Sequence, residues 1–331
     1  MNKDITSDVT CVIDAGARYG VHPSWKKFQA PLRYYMFEPD PEHTPILKRK
    51  YEKRSKEIQV IQSALGKSSG RSKINVFRHQ GVSSRLKPHP DSFWFSTSRP
   101  GEGDIIDSYQ TDITTVDEFS LSHDLSIDFL KCDTEGTELE ILHGASKQLT
   151  SNVLGVYSEV SFGAVFEGDS SYGEIDAYLR DHGFILLSID VLDRGSSVNK
   201  FYSGGKFGIL EAADAIWIKP FKSIQENPDW DEHQKVASYL KLSAFCFINE
   251  VTDVAMQYLI EASEKFPAAM QASAKNELFG YLRTCTQILF KKLDEHMAFS
   301  SDELDQTFNN IFGDNRKKMR DFYENTEINP D

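Results

Sequence analysis

The apolar run Val9-Thr-Cys-Val-Ile13 passes directly into Asp14-Ala-Gly-Ala-Arg-Tyr-Gly20. A strand that ends in a glycine turn and continues into a helix is the local architecture that grips a nucleotide-type ligand. Gly16 lets the backbone turn tightly and approach the ligand, and Gly20 lets the next helix begin close to the sheet. The spacing of Gly16 and Gly20 differs from the G-x-G-x-x-G fingerprint of dinucleotide dehydrogenases. Two glycines in a tight strand–helix turn are common by themselves, so the weight falls on their companions.

Three further strand ends carry acids. Tyr34-Tyr-Met-Phe-Glu-Pro39 is a second apolar strand ending in Glu38, placed to accept both hydroxyls of an adenosine ribose. Ile127-Asp-Phe-Leu-Lys-Cys-Asp-Thr-Glu-Gly136 ends in Asp133 and Glu135, and Val156-Tyr-Ser-Glu-Val-Ser-Phe162 carries Glu159. Acids on the carboxyl ends of neighbouring strands point into the crevice where open α/β sheets bind ligands. Strands are expected at 9–14, 34–38, 58–64, 127–133, 153–160, 184–191 and 212–219, with helices clearest at 42–53, 137–150 and 171–182. That alternation predicts a doubly wound, mostly parallel sheet of α/β class, closed by an antiparallel hairpin whose connection, 193–211, reads as flexible.

With these residues in place, DAGARYG, FEP, SALG (Ser63–Gly66), TTVDEF (Thr114–Phe119), FLKCDTEGTELEILHGA (Phe129–Ala145) and SEVSF (Ser158–Phe162) resemble the FkbM family of S-adenosylmethionine-dependent methyltransferases. The resemblance runs in order over about residues 9–219. It implies a seven-stranded Rossmann-like sheet, S-adenosylmethionine as cofactor, and O-methylation of a sugar, glycan or natural-product hydroxyl. Under it, Asp14, Gly16, Ala17, Tyr19 and Gly20 meet the amino-acid end of the cofactor, Glu38 its ribose, and Ser63 and Ala64 its adenine. Asp133 is the first choice for the catalytic base and Glu159 the second, with Glu135 a cofactor or loop residue. The acids of Thr134–Glu138 also suit the positive end of the helix that follows. Arg18 stands where the family commonly has a small or amide residue, and is expected to point outward. A divalent cation suits carboxylate oxygens, but no Asp-Asp or His-Asp constellation sharpens that idea and no metal is expected.

Residues 71–100 break the pattern. Six cations (Arg71, Lys73, Arg78, Arg85, Lys87, Arg99) stand against one acid, Asp91, in a protein of net charge −13. Two readings are open. One is a surface ribbon whose cations pair with the protein's own acids. The other is a lid in which aromatics such as Trp94 stack on a sugar while Ser84, Arg85 and His79, a further candidate base, meet a polar or anionic acceptor. His143 reads as structural.

The acidic balance holds in both parts of the chain, which argues against general nucleic-acid or anionic-membrane binding. No run is long and apolar enough to span a membrane, and Met1–Thr6 lacks the apolar core of a signal peptide. Cys11, Cys132, Cys246 and Cys285 have no metal spacing and read as reduced thiols of a cytoplasmic protein. Pro220 and Asn227-Pro-Asp229 mark a boundary, giving a methyltransferase domain over 1–220 and an all-helical domain over 221–331. Val236, Tyr239, Leu240, Ser243, Ala244 and Phe247 form one apolar stripe, and the helix pair is better read as a bundle than as a tetratricopeptide array. It could pack on the first domain, join two copies in a homo-oligomer, or recruit a protein partner. Two competing functions are a nicotinamide oxidoreductase, disfavoured by the missing fingerprint, and a catalytically silent scaffold working through the helical tail.

Overall fold

The computed structural model describes residues 9–195, 208–295 and 301–313, so part of the connection 193–211 and all of Met1–Thr6 lie outside it. The described residues form two compact units, one comprising those of Cys11–Pro23 and Leu32–Pro220, the other comprising Ser24–Pro31 and those from Phe221 onward.

The first unit is built on β1 (Thr10–Ala15), α1 (Pro23–Lys26, shared with the second unit), β2 (Leu32–Phe37), α2 (Thr44–Tyr51), β3 (Ile58–Ile61), β4 (Ala64–Leu65), β5 (Gly70–Phe77), β6 (Ile105–Thr114), α3 (Val116–Ser122), β7 (Phe129–Cys132), α4 (Glu138–His143), α5 (Ser146–Ser151), β8 (Gly155–Ser161), α6 (Tyr172–Asp181), β9 (Ile185–Gly195) and β10 (Ile209–Ile218). Seven strands make one sheet in the order β3-β2-β1-β7-β8-β10-β9. β1 runs parallel to β7, β7 to β8 and β2 to β3, while β10 is antiparallel to both β8 and β9. The expected terminal hairpin is therefore present. Every residue of β1 and β7 is buried, as strands covered by helices on both faces must be.

Ile13, Phe37, Leu130, Val156 and Trp217 from the sheet pack with Phe119, Leu142, Leu149 and Ile175 from the helices. The Trp217 indole is fully buried and its Nε1 donates to Asp176 at 2.9 Å. α6 opens with a capping box, Ser171 and Glu174 each satisfying the other's backbone N–H.

Three expectations need correction. The third strand stops at Ile61; Ala64 and Leu65 leave the main sheet and pair instead with β6. The segment 71–100, read as ribbon or lid, begins as β5, which is antiparallel to β6, so that β4, β6 and β5 form a second, three-stranded sheet. The helix expected over 137–150 is two helices broken at Gly144. A Cβ there would lie 2.1 Å from the Gly66 carbonyl oxygen, and Asp117 receives the Lys147 and Gln148 backbone N–H groups that open α5. Close approach of the SALG turn, rather than helix propensity, sets the break.

In the second unit follow α7 (Phe221–Gln225), α8 (Glu232–Ile248), α9 (Thr252–Lys265), α10 (Pro267–Ala272), α11 (Glu277–Glu295) and α12 (Ser301–Phe312). Asp231 and Gln234 cap α8 reciprocally. The expected stripe is buried at Val236, Tyr239, Leu240, Ser243 and Ala244, with Tyr239 against Tyr258 at 5.8 Å. Trp25 and Phe28 pack against Phe245 and Tyr281. Among the described residues no helix is long and apolar enough to cross a membrane. The four cysteines are free thiols. Trp217→Ala should lower the stability of the first unit by about 3–5 kcal/mol, read as a fall in the denaturant midpoint.

Candidate active site

A cavity of about 280 Å³ opens at the carboxyl ends of the central strands, lined by residues of the glycine turn, the β2 end, the SALG turn and the β7 and β8 ends. Gly16 sits at φ +82, and a Cβ on it would meet the Asp133 carbonyl oxygen at 1.7 Å. Only glycine lets β1 turn while passing this close to the end of β7. The Gly16 and Ala17 N–H groups both donate to the Phe37 carbonyl at 3.2 Å, tying the turn to β2. Tyr19 stands at the cavity, 74 % exposed. Ala17 and Gly20 shape the turn without lining the cavity.

Glu38 is buried and lines the cavity. One carboxylate oxygen accepts the Asp40 backbone N–H at 2.9 Å. Burial raises its pKa to about 7, an effect that Asp40's N–H and the Arg18 charge only partly offset. Arg18 does not point outward. It spans the rim, donating to Asp40 and to Gln80 at 2.8 Å each. Ser63 donates to the Asp112 carbonyl and lies off the cavity, whereas Ala64 lines it.

Asp14 is fully buried beneath the turn. Its Oδ2 accepts from the Tyr34 hydroxyl at 2.6 Å and its Oδ1 lies 3.1 Å from Lys131 Nζ. Lys131 pairs with Asp14 across β1 and β7 in the sheet register, and its Nζ is also 3.2 Å from Asp133 Oδ2 and 3.4 Å from the Gly16 carbonyl. Burial opposes the ammonium, but Asp133 and Asp14 outweigh it and hold Lys131 protonated well beyond the ordinary lysine range.

Asp133, Glu135 and Glu159 all line the cavity, and each offers an oxygen within 4.8 Å of the others, a spacing that could hold a metal ion. The Glu135 and Glu159 carboxylates have no hydrogen-bond partner among the described residues. Burial, followed by repulsion from neighbouring carboxylates, pushes both well above the usual range. The acids continue across the sheet: Asp133 follows Cys132, which pairs with Ser158, while Glu159 pairs with Asp214 and Asp214 with Asp190. Glu135 adopts a left-handed backbone at φ +60. The turn around it is organised by Glu138, whose buried carboxylate accepts from Thr134 N, Thr134 Oγ1 and Gly136 N.

The second sheet supplies the opposite wall. Tyr109 on β6 lines the cavity, and its hydroxyl is held neutral by burial and by the charges of Glu38 and Asp40. Ser84 donates to the Glu135 carbonyl at 2.6 Å, so its hydroxyl braces the turn. His79 and Arg85 line the cavity, and Trp94 lines a small adjoining pocket with Phe95, Phe166, Glu135 and Glu159. Four cations of this segment meet the protein's own acids: Arg71 with Asp112, Arg78 with Asp104, Arg85 with Glu140 and Arg99 with Glu102. His143 packs against Tyr178 with ring centroids 4.3 Å apart and the planes tilted by 59°. Sequence reasoning missed Lys131, Glu138 and Tyr109. A lysine inside the apolar run Phe129–Cys132 was the available signal for the first; nothing local marks Tyr109. Gly16→Ala should cost more than the ~1–2 kcal/mol of a left-handed L residue, because the Cβ also displaces Asp133; chemical denaturation would measure it.

The methyltransferase FkbM domain model matches residues 14–186, just over half of the chain. No curated protein matches by sequence. Among solved structures, a methyltransferase FkbM from Methylobacillus flagellatus KT is similar at 16 % identity and TM-score 0.37, covering 63 % of this chain and 44 % of that one, so the chain spans less than half of that protein's length. The N-terminal domain of EvdMO1 with SAH bound is similar at 11 % identity and TM-score 0.32, over 63 % of this chain and 74 % of that one. A SAM-dependent methyltransferase from Aquifex aeolicus gives 12 % identity and TM-score 0.32, over 65 % and 86 %. With its glycine turn, its acidic strand ends and its antiparallel terminal hairpin, the chain belongs to the FkbM methyltransferase family, and its cofactor is S-adenosylmethionine.

Proposed function

We propose that the protein methylates a hydroxyl oxygen of a sugar, glycan or natural-product small molecule. The observation that carries this reading is the pair of unpartnered carboxylates, Glu135 and Glu159, beside the glycine turn. The cavity residues suit the cofactor. Gly16 leaves the backbone approachable, Glu38 keeps one carboxylate oxygen without a protein partner for the ribose, and Ala64 offers a small apolar surface to the adenine. When bound, the cofactor supplies an electrophilic methyl group, whose carbon–sulfur bond breaks toward sulfur as the oxygen–carbon bond forms.

The chain must position the acceptor and receive its proton. Asp133 is held by Lys131 and serves to orient. Glu159, raised by burial and like charge, is the proton acceptor, and Glu135 beside it maintains that elevation. Trp94 stands at the small pocket beside Glu159, and His79 and Arg85 stand at the cavity toward the second sheet, so these are the side chains offered to the acceptor.

Isothermal titration with S-adenosylmethionine and S-adenosylhomocysteine, with NAD as control, followed by transfer of labelled methyl to a panel of sugars and polyols, tests the reading. Label on oxygen supports it, and label on nitrogen alone overturns it. Glu159→Gln should lower kcat by about 10²–10⁴ while cofactor affinity is retained. Glu38→Ala should weaken cofactor binding by about 1–3 kcal/mol. Because the ionised carboxylate accepts the ribose hydroxyls and its pKa is raised to about 7, affinity should fall as pH drops from 8 to 6. Glu38→Gln should flatten that dependence.

A further inference from the structure

β7 has the run Phe129-Leu-Lys-Cys132 at the centre of the sheet, and all four residues are buried. A buried ammonium is costly unless matched by charge and hydrogen bonds. Here the match is threefold: Asp14 Oδ1 at 3.1 Å, Asp133 Oδ2 at 3.2 Å and the Gly16 carbonyl at 3.4 Å. Strand geometry dictates this. Lys131 faces Asp14 in the β1–β7 register, and Asp133, two residues on, shares its face. One ammonium therefore touches the residue before the glycine turn, the carbonyl of the turn glycine and the first carboxylate of the acceptor side.

We infer that Lys131 is a positioning residue: it fixes the cofactor turn to the acceptor-side carboxylate and neutralises the two acids that would otherwise face each other across β1 and β7. The positioning is electrostatic. A neutral side chain of similar length fills the space but leaves Asp14 and Asp133 unbalanced, with Asp14 fully buried. Glu135 and Glu159 lie beyond Asp133 and take no part in the tie, which keeps them unpartnered toward the cavity.

The test is a double-mutant cycle on the full chain, read as S-adenosylhomocysteine affinity by calorimetry and, independently of any ligand, as melting temperature. Lys131→Met should weaken binding at least about tenfold and lower the melting temperature, because truncating one partner strands buried charge. Lys131→Met/Asp14→Asn should bind within about threefold of Asp14→Asn alone, because Asp14 is the buried charge that loss of the ammonium strands and such coupling is expected only of contacting charges. Lys131→Arg should recover most of the affinity. If Lys131→Met fails to fold while the double variant folds, the charge tie is upheld. The inference is overturned if the two single losses multiply in the double variant, if Lys131→Met binds and melts like the wild type, or if neither Lys131→Met nor the double variant folds. Absence of S-adenosylhomocysteine binding by the wild type would count against the cofactor, and the melting cycle would still decide the role of Lys131.

Discussion

Burying Lys131 between Asp14 and Asp133 sets the geometry on which the rest of the site depends. Desolvation of Lys131 and Asp14 is offset only if the ammonium stays within about 3 Å of Asp14 and of the half-exposed Asp133, so the ends of β1 and β7 are held in register at the point where the chain leaves the sheet. Gly16 then has to pass the Asp133 carbonyl at a distance that admits no side chain. Tyr34 completes the arrangement from β2, its hydroxyl donating to Asp14 and accepting from the His22 N–H. Three adjacent strands thus converge on one buried carboxylate, and the turn above them inherits its position from polar contacts in the core.

The second sheet is the other architectural element of consequence. Leaving the main sheet after Ile61, the chain gives only Ala64 and Leu65, the middle of SALG, to β4. The pair β5 and β6 then returns over the cavity, where Asn75 fastens the 84–86 segment through hydrogen bonds to the Ser84 backbone and the Leu86 carbonyl. Phe77, Phe95 and Phe166 pack on one another at 5.6–6.2 Å, so the aromatics that stand out in the sequence are largely the core of this wall. Packing and charge pairing account for most of the segment's unusual composition, and Trp94 faces the adjoining pocket.

Much of the fold was legible because it rests on local signals. Apolar runs ending in glycine or acid gave the strands, the helical stretch 171–182 matched α6, and the terminal hairpin followed from Phe184–Val191 and Ala212–Lys219. Glu38, Asp133, Glu135 and Glu159 were legible as cavity residues since strand ends in a parallel sheet face one crevice. What was not legible depends on residues distant in sequence. The break at Gly144 comes from Gly66, some eighty positions earlier; the role of Ser63 comes from the Asp112 carbonyl; Arg18 is turned by Asp40 and Gln80. Tyr109 lies in a strand of ordinary polar composition, and only the topology brings it to Glu38. Lys131 was readable in principle, since a lone cation in a buried strand requires a partner at the same register.

The acids ranged across β7, β8, β10 and β9 can give the carboxyl edge of the sheet only one sign of charge, which grows as pH rises because burial and mutual repulsion hold Glu135 and Glu159 above the ordinary carboxylate range, and Lys131 is already committed to Asp14 and Asp133. Such a field attracts a cationic molecule from solution and loses that hold when the charge disappears. Methyl transfer converts a sulfonium into a neutral thioether. In the methyl transfer proposed above, that loss of charge weakens the electrostatic attraction of the crevice for the spent cofactor, favouring exchange for a fresh donor, and this bias should fade as ionic strength rises.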